Sequence, residues 1–203
     1  MARKLTARGR QRRRQIIDYA VARFAHDGYH STSISDIVEG LGVGKGVFYW
    51  YFASKEELFL EILREAQLDL RRAQRRAIEG ETGVLRMLEL GIRASLAWSA
   101  EHRDLLKLFQ FALTDPRFSE ALRRGREVAA ADLSPIVRRG MESGEIRLGD
   151  PELVTHAILG LTTYVAHTFI HERGDDPERV ADELVEFCLR GLAETLPSAA
   201  PVD

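Results

Sequence analysis

Apolar residues recur at intervals of three and four along almost the whole chain, which is the spacing of one face of an α-helix. Gly, Pro, Ser and Asp residues, which are typical of helix ends, separate the periodic stretches. The pattern predicts two short helices between 33 and 52 and longer helices over 10–27, 54–78, 84–100, 105–113, 118–143, 151–170 and 177–195. The predicted fold class is therefore all-α. Residues 197–203 are predicted to form a tail after the last helix.

Prolines mark several of the predicted boundaries. Asp115-Pro116 is expected to end a helix, because the residue before proline disfavours helical backbone. Asp150-Pro151-Glu152 and Asp176-Pro177-Glu178 each place a capping Asp before a first-turn proline and an acid, so each predicts a helix start. Ser134-Pro135 lies inside the predicted helix 118–143 and is expected to kink or interrupt it.

The segment 33–52 packs two short helices around a glycine. Ser33 and Asp36 have the spacing of a helix cap, and the apolar stripe that follows consists of Ile34, Ile37, Val38 and Leu41. Gly42 stands where the chain must leave this helix through a left-handed conformation, which costs glycine little. A second helix is then expected from Gly44 or Lys45 to Phe52.

This second short helix carries more aromatic residues than a solvated helix needs. Phe48 and Phe52 are four residues apart and are predicted to be buried, which leaves Tyr49, Trp50 and Tyr51 for the rest of the circumference. Tyrosine hydroxyls can bind phosphate oxygens, and an apolar side chain can meet a thymine methyl. The segment therefore predicts a helix-turn-helix that enters the DNA major groove. The alternative is an ordinary helical corner whose Tyr and Trp residues are core.

Enzyme-like motifs are weak or missing in this sequence. Gly42-Val43-Gly44-Lys45-Gly46 loosely resembles a phosphate-binding loop, but the Walker pattern needs four residues between its glycines and Ser or Thr after the lysine. No nucleophile motif, paired-cysteine metal site or dinucleotide-binding glycine pattern appears. We therefore expect a protein that is not an enzyme and has no cofactor.

Charge is divided unevenly along the chain. Residues 1–55 hold ten Lys or Arg against four Asp or Glu, a net charge of +6, while residues 56–203 hold nineteen against twenty-seven, a net charge of −8. A basic cluster at the N-terminus would attract phosphate at any DNA sequence, and it consists of Arg3, Lys4, Arg8, Arg10, Arg12, Arg13 and Arg14. The stretch from Arg3 to Arg8 is expected to be a disordered basic tail.

Residues 16–63 closely resemble the DNA-binding domain of TetR-family transcriptional regulators. The resemblance rests on Phe24-Ala25-His26-Asp27-Gly28-Tyr29, on the runs 33–37 and 42–52, and on Ser54-Lys55-Glu56-Glu57-Leu58. It implies a homodimeric, all-helical repressor that a ligand releases from a palindromic operator. The family usually has Ser before the Lys-Gly pair and Thr after it. Here Gly44 and Val47 hold these places, so the base contact of Val47 would be apolar.

The resemblance also implies the DNA-binding residues. Lys45, Gly46 and Val47 would face base edges, Ser35 would add a contact from the supporting helix, and the site begins at the capping Ser33. The residues that would lie on the phosphate backbone are Tyr49, Trp50, Tyr51 and Lys55. For Lys55 there is a separate argument, because Ser54 and Glu57 form a capping box that puts it in a first helical turn, whose N–H groups attract phosphate.

We expect three parts in the chain: a basic arm with the helix-turn-helix over 1–53, a ligand-binding and dimerisation domain over 54–196, and the tail. In the second part, the last two helices carry broad apolar faces that predict a dimer interface of Ile158, Leu161, Val165, Leu184, Phe187 and Gly191. TetR-type proteins usually dimerise through these two helices. The alternative is that both helices form only internal core.

The ligand pocket is the least defined prediction. By helix position, its candidates are Trp98, Phe109, Leu113, Phe118, Met141, Tyr164, His167 and Thr168. They suit a small, largely apolar effector. His167 and His171 are four residues apart and could clamp a metal, but no third ligand of recognisable spacing accompanies them, so no metal is predicted.

The remaining expectations concern location and an alternative function. By inspection of the sequence, no apolar run approaches the roughly twenty residues that span a bilayer, so we expect a soluble, cytoplasmic, nucleoid-associated protein without a membrane partner. The single cysteine, Cys188, is expected to be packed in the core. A nonspecific, architectural DNA-binding protein is the alternative function, but it would not need a C-terminal body of about 140 residues.

Overall fold

The computed structural model describes residues 5–193, and every regular element in this range is helical. The helices are α1 (Ala7–Asp27), α2 (Ile34–Gly40), α3 (Lys45–Tyr51), α4 (Lys55–Ala77), α5 (Val84–Glu101), α6 (Arg103–Thr114), α7 (Pro116–Ser143), α8 (Pro151–Val165) and α9 (Pro177–Leu192). The all-α prediction is confirmed. Arg3, Lys4, the predicted end of the last helix at 195 and the tail over 197–203 lie outside the described residues.

Side-chain caps fix the starts of α8 and α9 where the sequence predicted them. The Asp150 carboxylate accepts from the backbone N–H of Glu152 at 2.8 Å, and the Asp176 carboxylate accepts from that of Arg179 at 3.0 Å. Helix α1 differs, because the Thr6 hydroxyl accepts from the Gly9 N–H at 3.1 Å and starts the helix at Ala7 rather than at 10. Arg8 is therefore helical, and its assignment to a disordered tail was wrong.

Helix α7 continues through Pro135, so the expected interruption does not occur. A proline inside a helix removes one backbone hydrogen bond and costs about 3 kcal/mol. Beyond the proline, Val137 and Met141 of the same helix are buried in the core, and this burial favours keeping the helix intact. Tertiary packing therefore outweighs the local preference.

The predicted helix 151–170 changes from an α-helix to a π-helix along its length. Its α-helical part ends at Val165, and a π-helical segment, Ala166–Glu172, continues it. The whole stretch Pro151–Glu172 is long and apolar enough to cross a bilayer by length and composition alone, so the expectation that no run approaches that length was wrong. Only 28% of its most apolar window is buried inside the protein. One such helix is weak evidence for a membrane span.

The chain folds as two units whose boundary differs from the predicted one. The first unit runs to Leu68 and also contains His102–Gly125, and the second contains Asp69–Glu101 and the chain from Arg126 on. Helix α6 and the start of α7 thus belong with the helix-turn-helix, although the sequence assigned everything after 53 to a second domain. The order of helices in the sequence does not reveal this grouping, because a unit is defined by packing and not by chain continuity.

An aromatic cluster explains why α6 belongs to the first unit. The Tyr29 ring follows α1, and its centroid lies 4.9 Å from that of Phe59 on α4, 5.1 Å from Phe111 on α6 and 5.3 Å from Phe118 on α7. Phe24 of α1 completes the cluster at 5.4 Å from Tyr29. Such contacts between aromatic rings stabilise a core beyond the area that they bury.

The second unit is built on α5, α8 and α9. Its buried residues include Val84, Leu88, Ile92 and Leu96 of α5, and Val180, Leu184 and Cys188 of α9. Cys188 is buried, which confirms its predicted place in the core, and this burial raises the pKa of its thiol. Gly140 of α7 allows a close approach here: a Cβ on it would lie 2.7 Å from both Ile146 Cδ1 and Val84 Cγ1.

We therefore expect Gly140→Ala to destabilise the protein. Alanine favours a helix over glycine by about 1 kcal/mol, but overpacking a tight core costs about 1–3 kcal/mol, so the free energy of unfolding should fall on balance. The matched control is Gly91→Ala, a helical glycine of the same unit whose added Cβ would meet nothing within 4 Å. Urea unfolding should show the control as stable as the wild type or more so. Equal stability of the two variants would contradict the packing argument.

Candidate nucleic-acid interface

The turn between α2 and α3 is fixed by hydrogen bonds at both ends of α2. The Ser33 hydroxyl accepts from the Asp36 N–H at 3.1 Å, and the Asp36 carboxylate accepts from the Ser33 N–H at 2.7 Å, which lowers the pKa of Asp36. At the other end, Gly42 adopts a φ of +64° and the Val43 N–H donates to the Val38 carbonyl at 2.9 Å. The predicted helix cap and glycine turn are confirmed, and the cap has the reciprocal bonds of a capping box.

Helix α3 divides its aromatic residues between core and surface. Phe48 is fully buried and Phe52, which follows the helix, is nearly so, whereas Tyr49 is 54% exposed and Trp50 is 50% exposed. Tyr51 is half-buried, and its ring meets the Trp50 ring edge to face at 4.6 Å between centroids. Since Tyr49 and Trp50 lie on the surface, the alternative of a helical corner with core Tyr and Trp residues is wrong.

Two open grooves flank α3, and together they hold all nine predicted DNA-binding residues. The first, of about 610 Å³, is lined by Gly46, Val47, Trp50 and Tyr51 of α3 and by residues of α1. The second, of about 460 Å³, is lined by Lys45 and Tyr49, by Ser33 and Ser35 near the start of α2, and by Lys55 at the start of α4. The structure therefore brings the predicted residues together along the two sides of one helix.

The first groove includes a wall of α1 that was not among the nine predicted residues, although Arg8 and Arg12 belong to the predicted basic cluster. Its polar side chains are Arg8, Gln11, Arg12 and Gln15, which are three and four residues apart on one face of the helix. This spacing was the feature of the sequence that could have predicted a polar face on α1. Arg13, on another face, is instead paired with Glu61 and Glu65 of α4 inside the unit.

Lys55 lines the second groove but is engaged within the protein. Its Nζ donates to the carbonyl oxygens of Tyr29 and Thr32 at 2.8 and 2.9 Å, and burial lowers its pKa. Two of its three N–H donors are thus used on the loop between α1 and α2. The capping box around it exists in part, since the Ser54 hydroxyl accepts from the Glu57 N–H at 3.1 Å.

The eight pocket candidates have different surroundings. Phe109, Leu113 and Phe118 belong to the first unit, where Phe118 is core and Leu113 is exposed. The other five belong to the second unit, where Trp98 and Met141 are buried, Tyr164 is exposed, and His167 and Thr168 are intermediate. Phe118 thus lies in the core of the first unit, and its role in a pocket stays a prediction, because periodicity identifies an apolar face without showing whether core or cavity covers it.

The two histidines considered as a metal clamp are directed to different partners. His171 Nε2 lies 2.8 Å from the Ser99 hydroxyl, and His167 Nε2 lies 3.5 Å from a Glu172 carboxylate oxygen. The π-helical turn that holds them changes the spacing on which the clamp depended. Within residues 5–193, no group of three His, Cys, Asp or Glu side chains could hold a metal ion.

The predicted dimer residues separate into two sets. Ile158 and Leu184 are buried within the second unit, as the internal-core alternative would have them. Leu161 and Gly191 are exposed, Val165 is half-buried, and Phe187 is 66% exposed. Only part of the predicted set is therefore available to a partner.

A capped supporting helix, a glycine turn and a second helix between two polar grooves define a helix-turn-helix DNA-binding protein. The sequence model for "Bacterial regulatory proteins, tetR family" matches residues 16–62, and that for "Tetracyclin repressor-like, C-terminal domain" matches residues 84–192. The chain belongs to the TetR family of transcriptional regulators.

Relatives agree over nearly the whole chain. The fatty acid metabolism regulator protein of Bacillus subtilis is 26% identical, across 88% of this chain and 94% of the relative. The crystal structure of the transcriptional regulator FadR from B. subtilis in complex with stearoyl-CoA has a TM-score of 0.76, at 26% identity over 88% of this chain and 98% of that one. The ketosteroid transcriptional regulator KstR2 of Mycobacterium tuberculosis gives 0.72, at 25% identity over 95% and 98%.

Gly46 offers a test of the interface that leaves the fold intact. A Cβ on Gly46 would meet no atom of the protein within 4 Å, so Gly46→Ala should preserve or raise the free energy of unfolding, by up to about 1 kcal/mol. The added methyl would enter the space proposed for a base edge, and we expect DNA affinity to fall about tenfold, the equivalent of roughly 1.4 kcal/mol. The affinity is measured by titrating each protein into a labelled DNA fragment that the wild type binds and following the fluorescence anisotropy.

Gly91→Ala is again the control, because it makes the same change in the second unit. Its DNA affinity should equal that of the wild type. If Gly46→Ala also binds like the wild type, the start of α3 does not approach DNA.

Proposed function

We propose that the chain is a homodimeric transcriptional repressor that a small, largely apolar ligand releases from a palindromic operator. The observation that carries this proposal is the gathering of all nine predicted DNA-binding residues in the two grooves beside α3. A short helix with exposed side chains between polar grooves suits the DNA major groove, with phosphates on both sides. Its site of action would then be the nucleoid in the cytoplasm.

The proposal of a dimer is based on a stripe of exposed apolar residues on α8 and α9. Leu153, Ala157, Gly160, Leu161 and Tyr164 of α8 are exposed at helical spacing, and on α9 the exposed residues Phe187 and Gly191 are four apart. Exposed apolar side chains that lie together on one face often mark a protein interface. Its small residues allow close approach of helices, so we assign the apolar stretch Pro151–Glu172 to a second copy of this chain rather than to a membrane.

A dimer also explains how a palindrome would be read. Two copies related by a twofold axis place two α3 helices in major grooves about one helical turn, roughly 34 Å, apart. Ligand binding would favour dimers with another spacing and so lower occupancy. The ligand must prefer the released state by a few kcal/mol to do this.

The proposed effector class follows from the relatives and from composition. B. subtilis FadR was solved with stearoyl-CoA and KstR2 is described as a ketosteroid regulator. Both descriptions point to ligands with large apolar parts, which agrees with the mostly apolar set of predicted pocket residues. Acyl-CoA thioesters and steroids are therefore the first effectors to test.

The first experiment selects genomic fragments with the purified protein and sequences those retained. We expect one palindromic motif with half-sites about one helical turn apart, as two symmetric reading helices require. Stearoyl-CoA and a ketosteroid are then titrated separately into the complex, and one of them should release the DNA. Retention without a motif, lost uniformly as salt rises, would instead indicate the nonspecific DNA-binding alternative.

The dimer is tested by placing a charge on the stripe. Phe187→Glu should convert the dimer to a monomer, because an unpaired charge is costly to bury in an interface. Sedimentation equilibrium measures the mass. The matched control is Leu113→Glu, which changes a residue of similar exposure, 61% against 66%, on α6. The control should stay dimeric. A monomeric wild type, or a dimeric Phe187→Glu variant, would contradict the proposed interface.

A further inference from the structure

The loop between α1 and α2 is held by hydrogen bonds of its own and by side chains from α4 and α7. It begins at Gly28, whose carbonyl accepts from the Thr32 N–H at 3.2 Å and from the Thr32 hydroxyl at 2.9 Å. Thr32 is only 1% exposed. The loop ends at Ser33, the cap of α2, so its position sets where the helix-turn-helix begins.

Lys55 binds this loop from the start of α4. Besides its bonds to the Tyr29 and Thr32 carbonyls, its Nζ lies 4.4 Å from the centroid of the Tyr29 ring. A cation over an aromatic face is attracted by the ring, the more strongly when both are removed from water. Hydrogen bonds from a charged donor are also stronger than neutral ones. The ammonium is therefore held from three directions.

Arg117 approaches the same ring from the α6–α7 turn. Its guanidinium carbon lies 5.3 Å from the Tyr29 centroid, and its N–H groups donate to Asp115 at 2.7 Å and to Glu56 at 3.3 Å. The Arg117 guanidinium lowers the pKa of Asp115 to about 2. Burial and then the nearby Glu56 carboxylate raise the pKa of the Tyr29 hydroxyl. The turn at Asp115 is thus joined to the loop that precedes α2.

We propose that Lys55 and Arg117 are positioning residues for DNA reading: both act on the Tyr29 loop from inside the protein, and Lys55 is not a phosphate contact. This inference rests on the DNA-binding role proposed above. It replaces the role that the family resemblance implied for Lys55. It also gives the α6–α7 turn a role in positioning the helix-turn-helix of the first unit, although this turn follows Lys55 by more than fifty residues in the sequence.

Salt dependence separates positioning from phosphate contact. Each phosphate contact adds about 0.9 to the slope of log K against log salt concentration. Lys55→Met keeps an apolar stem and removes the charge, which leaves two carbonyls without their donor. We expect affinity for the selected operator to fall about tenfold with the slope unchanged, and the same for Arg117→Gln. A slope that falls by about 0.9 for each Lys55 removed would overturn the proposal, as would unchanged affinity.

The controls are charges removed from the two helices that flank the α6–α7 turn, at positions away from the loop. Lys107→Met on α6 and Arg124→Gln on α7 change exposed residues that pair with Asp104 and Glu120. Both controls should bind DNA with wild-type affinity. An equal loss in the controls would show that net charge, and not positioning, sets the affinity.

Hydrogen exchange on the free protein tests the loop without DNA. In Lys55→Met and Arg117→Gln, amides of residues 28–36 should exchange at least several-fold faster, while those of 16–24 in α1 keep their wild-type rates. Acceleration throughout the first unit would indicate general destabilisation and would contradict a positioning role. Because no DNA is used, this result stands apart from the operator selection. A wild type that binds no DNA fragment would refute the proposed function, whereas unchanged loop exchange would refute this inference.

Discussion

The packing of the Tyr29 ring is the constraint on which the DNA-facing unit depends. Helices α4, α6 and α7 each place an aromatic side chain against this ring, and two cations lie over it. A single short loop therefore carries contacts from most of the unit. A two-turn helix such as α3 is too short to hold its direction alone in water. Its orientation must come from packing of this kind.

Local chemistry explains why much of the fold and the reading helix could be predicted. Ser33 with Asp36, Gly42, Asp150 and Asp176 act on groups within a few residues, so their effects can be read from the sequence. The same holds for the alternation of buried Phe48 with exposed Tyr49 and Trp50. All nine residues proposed for DNA line the two grooves because they share one short stretch of chain or its immediate neighbours.

Features that depend on distant contacts could not be predicted in this way. The carbonyls that bind Lys55 lie more than twenty residues before it, and nothing local marks them as its partners. Helix α6 joins the first unit through Phe111, and α7 stays continuous at Pro135 while its later residues are buried. Periodicity likewise could not show that Phe118 packs in the aromatic core, since an apolar face has the same spacing whether core or cavity covers it.

Because of the exposed stripe on α8 and α9, the state of this protein would depend on its concentration in the cell. If two copies must meet to cover Leu161, Tyr164 and Phe187, association follows the square of the monomer concentration, and thermal midpoints rise as the protein is concentrated. A cell that makes few copies would hold a larger share as separate chains with uncovered apolar surface. Occupancy of a regulated gene would then change more steeply than gene dosage.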